Sequence, residues 1–291
     1  MWWKAMLLVI LTPALSVALA VAYGFRRWQS AGRDMRAKLE AARLSIEPTT
    51  YDIRELTGLP PSVQSYFRAV LEDGQPMVAA VSVDHTGVFN TSEVGEKWRP
   101  FTSTQRVITR RPGFDWEGRI AMMPGLKARV HDAYIAGEGI LHASLLGLVS
   151  LVDVRGTTEL AQGELMRFLA EAAWYPTALL PSQGVQWAPV DGTSATATLK
   201  DGETTVKLLF RFDEDGLIRS VRAGGRGRMV AGTSIPTPWE GRWTDYELRG
   251  GMRIPMEGEV AWMLPDGPKP YWRGRITRVA YEFVAPQGPA R

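Results

Sequence analysis

The 291-residue chain contains no cysteine. That one absence excludes disulfides, cysteine-ligated zinc, thiol catalysis and an acylated cysteine. Histidine is nearly as scarce. His85, His131 and His142 are scattered and none belongs to an H-E-x-x-H pattern, so no metal site is expected. The net charge is only +3 and no block of basic residues stands behind it, which argues against a nucleic-acid partner. There is no G-x-S-x-G elbow and no phosphate-binding P-loop. Gly137-Glu138-Gly139 opens like a dinucleotide fingerprint, but His142 stands where the last glycine belongs. No cofactor is expected, and Ser182 has no neighbouring base that would make it a nucleophile.

What is present begins with an apolar run. Ala5–Tyr23 is nineteen residues without a charge, flanked by Trp2, Trp3 and Tyr23. Such a helix nearly crosses a hydrocarbon core of about 30 Å, with aromatics at the interfaces. A single-pass anchor over 1–24 is expected; the rival reading is a cleaved signal peptide ending near Ala18-Leu19-Ala20. Arg26, Arg27, Arg33, Arg36 and Lys38 follow the run against a single preceding Lys4, which would keep the body cytoplasmic, although the side stays open. Residues 25–50 read as a juxtamembrane helix with Met35, Leu39 and Ala42 on one face, then a linker from Glu47-Pro48.

The body, 51–285, reads as one α+β domain, with a flexible tail over 286–291. A short helix over 62–71 precedes ten or more strands separated by Gly, Pro or Asp-rich turns. One further helix interrupts them, in Arg167–Ser182, RFLAEAAWYPTALLPS. The short turns imply a large curved antiparallel sheet, half-barrel-like, packed on one or two helices. A W-x-G-R string recurs at Trp116, Trp239 and Trp272. Strand alternation puts each Trp on the same face as the Gly two residues on, and the charged residues between them on the other face. The tryptophans either pack a curved sheet on its helices or line a cavity for an apolar ligand.

Polar candidates are few. At 100° per residue Arg167, Glu171 and Trp174 form one helical stripe opposite Leu165, Phe168 and Leu169. Arg before Glu is the weaker order for a helix-stabilising pair, so Arg167 and Glu171 serve either as a buried tie to the sheet or as a polar anchor in a pocket. In RVHDAYIAG, Asp132 and Tyr134 share a strand face, as a buried hydrogen-bonded pair would, and His131 faces away.

These strings also resemble a known pattern. Leu59-Pro60-Pro61 with Tyr66-Phe67, Asp132-Ala133-Tyr134 with Gly137-Glu138-Gly139, the whole of Arg167–Ser182, Pro238-Trp239, Tyr246 and Arg253-Ile254-Pro255 are similar to an uncharacterised bacterial family, a domain of unknown function whose members usually carry an N-terminal membrane anchor. By fold-level analogy its body resembles the half-barrel of lipoprotein carriers. The resemblance implies no established activity. The expectation is a membrane protein binding an apolar or lipid-like ligand, with Trp116, Trp239, Trp174, Asp132, Tyr134, Arg167 and Glu171 at the site. The alternatives are an enzyme on a lipid or envelope substrate, with Glu171, Asp132 or His131 as acid or base, and an interaction scaffold without a cavity. Oligomeric state is not legible.

Overall fold

The computed structural model describes residues 2–92, 95–230 and 232–285, without the side chains of 3–14. Helix α1 (Trp2–Ala41) leads to α2 (Pro61–Val70), which places Pro61 at its first position, where a missing N–H costs nothing. Six strands follow: β1 (Val78–Asn90), β2 (Trp98–Ile108), β3 (Gly113–Met123), β4 (Leu126–Ile135), β5 (Glu138–Leu145) and β6 (Val149–Arg155). Helix α3 (Thr158–Glu171) and three short 3₁₀ turns over 172–183 come next. Seven strands complete the fold: β7 (Gln186–Asp191), β8 (Ser194–Asp201), β9 (Thr204–Phe212), β10 (Ile218–Val230), β11 (Thr233–Arg249), β12 (Met252–Leu264) and β13 (Gly267–Phe283). The sequence pattern missed β6 alone, because Val149–Arg155 is an exposed edge with no clean alternation of burial.

All thirteen strands form one antiparallel sheet in the order β6-β5-β4-β3-β2-β1-β13-β12-β11-β10-β9-β8-β7. Two meanders therefore meet where β1 pairs with β13, and β6 and β7 are the outer edges. The segment 156–185 must travel from one edge to the other, and α3 makes that crossing over one face. It touches β4 and β5 on one wing and β9 and β10 on the other. In a flat sheet those strands would lie tens of ångströms apart at about 4.8 Å per strand, so the sheet must curl around α3. The wings meet directly: Tyr134 on β4 donates a 2.9 Å hydrogen bond to Asp201 on β8, and Arg111 reaches the same carboxylate at 2.9 Å. This is the expected α+β fold with a large antiparallel sheet, open at both edges and packed on three helices rather than one or two.

The concave side holds the main core. Leu165, Phe168 and Leu169 of α3, Val63 and Phe67 of α2, and Val81, Phe114, Leu208 and Phe210 of the sheet are all buried there. Tyr175 ends the helix by donating to the Phe168 carbonyl at 2.9 Å, and Tyr281 fixes the Trp174 carbonyl at 2.7 Å. A second, smaller core lies on the convex side, where Met35 and Leu39 of α1 cover Ala80, Ile108, Ala133 and Ile140. The amphipathic stretch after the apolar run is thus the continuation of α1, laid on the back of the sheet.

The course of α1 is readable from its contacts. Gly24 lies against the turn 146–148, Gly32 against His131, Arg36 against Asp115 and Leu39 against Gly113. The helix therefore runs down β3 and β4 from their 123–126 end, and its residues 2–23 extend past that end. The expected span falls largely on 3–14, whose side chains lie outside the described residues, as does the expected tail 286–291. Among the described residues no helix is long and apolar enough to cross a membrane.

Candidate functional site

Of the residues singled out from the sequence, Asp132, Glu171 and Trp116 meet around Arg167 on the concave face. Its guanidinium bonds Asp132 of β4 at 2.6 Å and Glu171 one turn along α3 at 2.7 Å, and sits over the rings of Phe114 (4.8 Å) and Trp116 (5.3 Å). Glu171 also accepts 2.6 Å from Gln105 Nε2. Arg167 is thus a tie between helix and sheet, its charge already met by two carboxylates. Burial opposes that charge, but Glu171 and Asp132 outweigh it and raise the pKa further. Trp174 is buried against His85 (4.9 Å) and Trp243 (5.1 Å) rather than stacked on Arg167. Tyr134 does not pair with Asp132 as the shared face suggested, since the curl of the sheet brings Asp201 to its hydroxyl. Trp239 lies on the other wing, donating 2.9 Å to Tyr271 Oη.

A second half of the network was not visible in the sequence. Glu164, one turn before Arg167, is buried and bonds Arg226 of β10 at 3.0 Å; Arg226 sits over Trp239 at 5.3 Å. The only sequence signal was the spacing of Glu164, Arg167 and Glu171, which share one helix stripe. Three carboxyls thus meet two guanidiniums. Burial, then the nearby Asp132 charge, push the Glu164 pKa up to about 8. Glu164 Oε2 and Asp132 Oδ1 are both buried without a hydrogen-bond partner. With Glu164 protonated the network is electrically balanced. His85, also missed, is buried with Nδ1 3.3 Å from Ser103 Oγ, and burial lowers its pKa to about 3, helped by Arg167.

The tryptophan strings have a clear physical role. At Gly118 and Gly274 an added Cβ would lie 2.2 Å and 2.4 Å from the ring of Trp116 and Trp272, so each indole lies flat across the glycine two residues on. The charged neighbours face outward and pair across strands, as Arg273 with Glu259 (2.7 Å) and Arg275 with Glu257 (2.7 Å). Trp116, Trp174, Trp239 and Trp243 are each under 5% exposed, so in this arrangement the concave face is packed.

Two open grooves of about 600 Å³ lie on the convex face. One runs between α1 and β3–β4. Trp28 stacks on His131 at 4.5 Å at its floor and donates 3.2 Å to Glu117. Asp115 joins His131 (3.2 Å) and Arg36 (3.0 Å) there; burial pushes its pKa up, and these two partners pull it below the usual range. His131 is therefore on the opposite side of the sheet from Asp132 and Glu171, as alternation required.

Among known proteins, the chain resembles a LolA superfamily protein from Nitrosomonas europaea at 10% identity, with a TM-score of 0.34, over 76% of this chain and 94% of that one. A β-barrel-like protein of domain of unknown function DUF1849 from Brucella abortus matches at 9% identity and a TM-score of 0.20, over 71% of this chain and 99% of that one. No curated protein matches. A family model covers residues 57–281, nearly the whole body from α2 to β13, and the chain accordingly belongs to the family of unknown function DUF6920.

Proposed function

We propose that this chain is a single-pass membrane protein whose half-barrel, seated against the bilayer, takes up an apolar or lipid-like ligand. The observation that carries the reading is the exit of α1. The helix leaves the sheet at Gly24, wedged against the turn 146–148, and the uncharged run 5–23 lies beyond. Large apolar side chains are exposed around that exit: Leu15, Val17, Leu19 and Tyr23 on the helix, Leu146, Leu148 and Val149 on the hairpin, and Met123 on the next turn. Contiguous exposed apolar surface of this kind marks a partner or a membrane. A body held there meets lipid before any other apolar molecule. The Trp-lined face under α3 is the receiving surface, opened by movement of α3.

The enzyme reading has less support. Asp132 and Glu171 are clamped on one guanidinium, and His131 lies across the sheet from both. Two measurements on the full chain test the proposal. The protein should stay with membranes through an alkaline carbonate wash. After purification in detergent, organic extraction and mass spectrometry should find stoichiometric lipid. Release by carbonate, or recovery of detergent and buffer alone, overturns it.

A further inference from the structure

The groove beneath α1 has a chemistry the concave face lacks. Arg33 and Arg36 come from the helix, Arg119 from β3, Lys127 and Arg129 from β4, against the carboxylates of Asp115 and Glu117. Five cations to two anions leave an excess of three positive charges in one concave space of about 600 Å³. Arg36 is engaged by Asp115, and Arg119 and Arg129 share Glu117 at 3.4 Å and 3.5 Å. Arg33 and Lys127 are exposed and form no ion pair among the described residues. Arg119 Nε and His131 Nε2 are buried without partners. The apolar wall is Phe25, which carries Arg129 4.7 Å over its ring, and Trp28. A surplus of donors beside an aromatic wall suits a phosphate joined to an acyl or glycerol body.

Position narrows the source. Phe25 follows Gly24 directly, and Lys127 is the second residue of β4 after the 123–126 turn. The charged mouth of the groove is therefore at the end of the sheet from which the apolar helix emerges. We infer that this groove binds the phosphate head group of an anionic lipid of the bilayer that the chain is anchored in. The inference rests on the membrane seating proposed above, and it assigns a site separate from the Trp-lined face. A lipid held here would fix the body upright beside its anchor, with the exposed Leu146 and Leu148 facing the same bilayer.

The test uses the full chain in neutral detergent micelles and three probes in isothermal titration: dihexanoyl phosphatidylglycerol, dihexanoyl phosphatidylcholine and inorganic phosphate. The glycerol lipid should bind and the other two at least about tenfold more weakly. Arg33→Gln/Lys127→Gln, at two exposed positions, should weaken the glycerol lipid by at least about tenfold, as expected for lost charge-assisted hydrogen bonds. Thermal unfolding should be unchanged, and so should Arg242→Gln/Arg275→Gln in the other convex groove. Equal binding by the first double variant, or equal affinity for the choline lipid, overturns the site. Phosphate binding as tightly as the lipid overturns its assignment to a membrane component. Carbonate resistance of the same variant reads the anchoring alone, so failure of the site and failure of the seating give different results.

Discussion

At the scale of single residues, the network on α3 behaves as a charge balance. Arg167 holds Asp132 and Glu171, and Glu164 holds Arg226 while the nearby Asp132 charge favours its protonated form. Removing one partner of such a buried set leaves charge uncompensated, which costs about 3–5 kcal/mol. Arg167→Met should lower stability to urea by that amount, and Asp132→Asn with Glu171→Gln on the same chain should restore most of it. A fall unrelieved by the two amides would mean that Arg167 acts through packing on Phe114 and Trp116 instead. Glu164 gives a pH signature. Its pKa rises from 4.5 to about 8 on folding, so the folded chain binds the proton more tightly. The stability this contributes is whole below about pH 4.5 and is lost as pH climbs through 8. His85 runs the other way, since its depressed pKa favours the folded state only once the unfolded imidazole has lost its proton, near pH 6.5. The difference between wild type and Glu164→Gln isolates the first effect. Urea midpoints should fall more steeply for wild type between pH 5 and 8, and parallel curves would place the proton elsewhere.

At the scale of elements, what the sequence made legible followed from short periods. Alternation by two assigned Trp116 to one face and Glu117 to the other, and the helical period placed Arg167 and Glu171 on one stripe. The pairing of Tyr134 with Asp201, and of Glu164 with Arg226, depends on which strands the curl brings together, sixty residues or more away in sequence. No local pattern carries that. The W-x-G-R strings show where local reading stops and packing starts. The same motif is tight at Gly118, where a Cβ would be 2.2 Å from the Trp116 ring, and ordinary at Gly241, where the nearest ring atom of Trp239 is 3.5 Å away. Gly118→Ala should therefore cost about 1–3 kcal/mol through a displaced indole. Gly241→Ala should stay within about 0.5 kcal/mol. Thermal unfolding of the two variants in parallel measures the contrast. Equal losses would show that the motif matters for strand bending rather than for ring seating.

At the scale of the whole molecule, the chain joins a curled sheet to a helix that outruns it, and the joint is two glycines. A Cβ on Gly24 would stand 2.4 Å from the Leu146 carbonyl oxygen, and one on Gly147 2.3 Å from the Gly24 carbonyl oxygen. Glycine inside a helix is unfavourable by roughly 0.5–1 kcal/mol relative to alanine, so its presence at 24 reflects this close approach. Further down, Arg36 with Asp115 and Glu40 with Arg106 fasten the same helix to the sheet, with Leu39 buried between. The N-terminal helix and the body are thereby one rigid lever, with the hairpin tip set at a fixed height beside the emerging helix. Gly24→Ala separates that joint from the rest. Its Cβ meets backbone, which yields only by moving the 146–148 turn away, at a cost of about 1–3 kcal/mol. Amide hydrogen exchange at 145–149 should then accelerate by at least about tenfold, and by more than at β8 to β12, which register only the global loss of stability. Unchanged exchange at the turn would mean that the hairpin is not held by the helix, and that the lower salt bridges alone set the angle of the body.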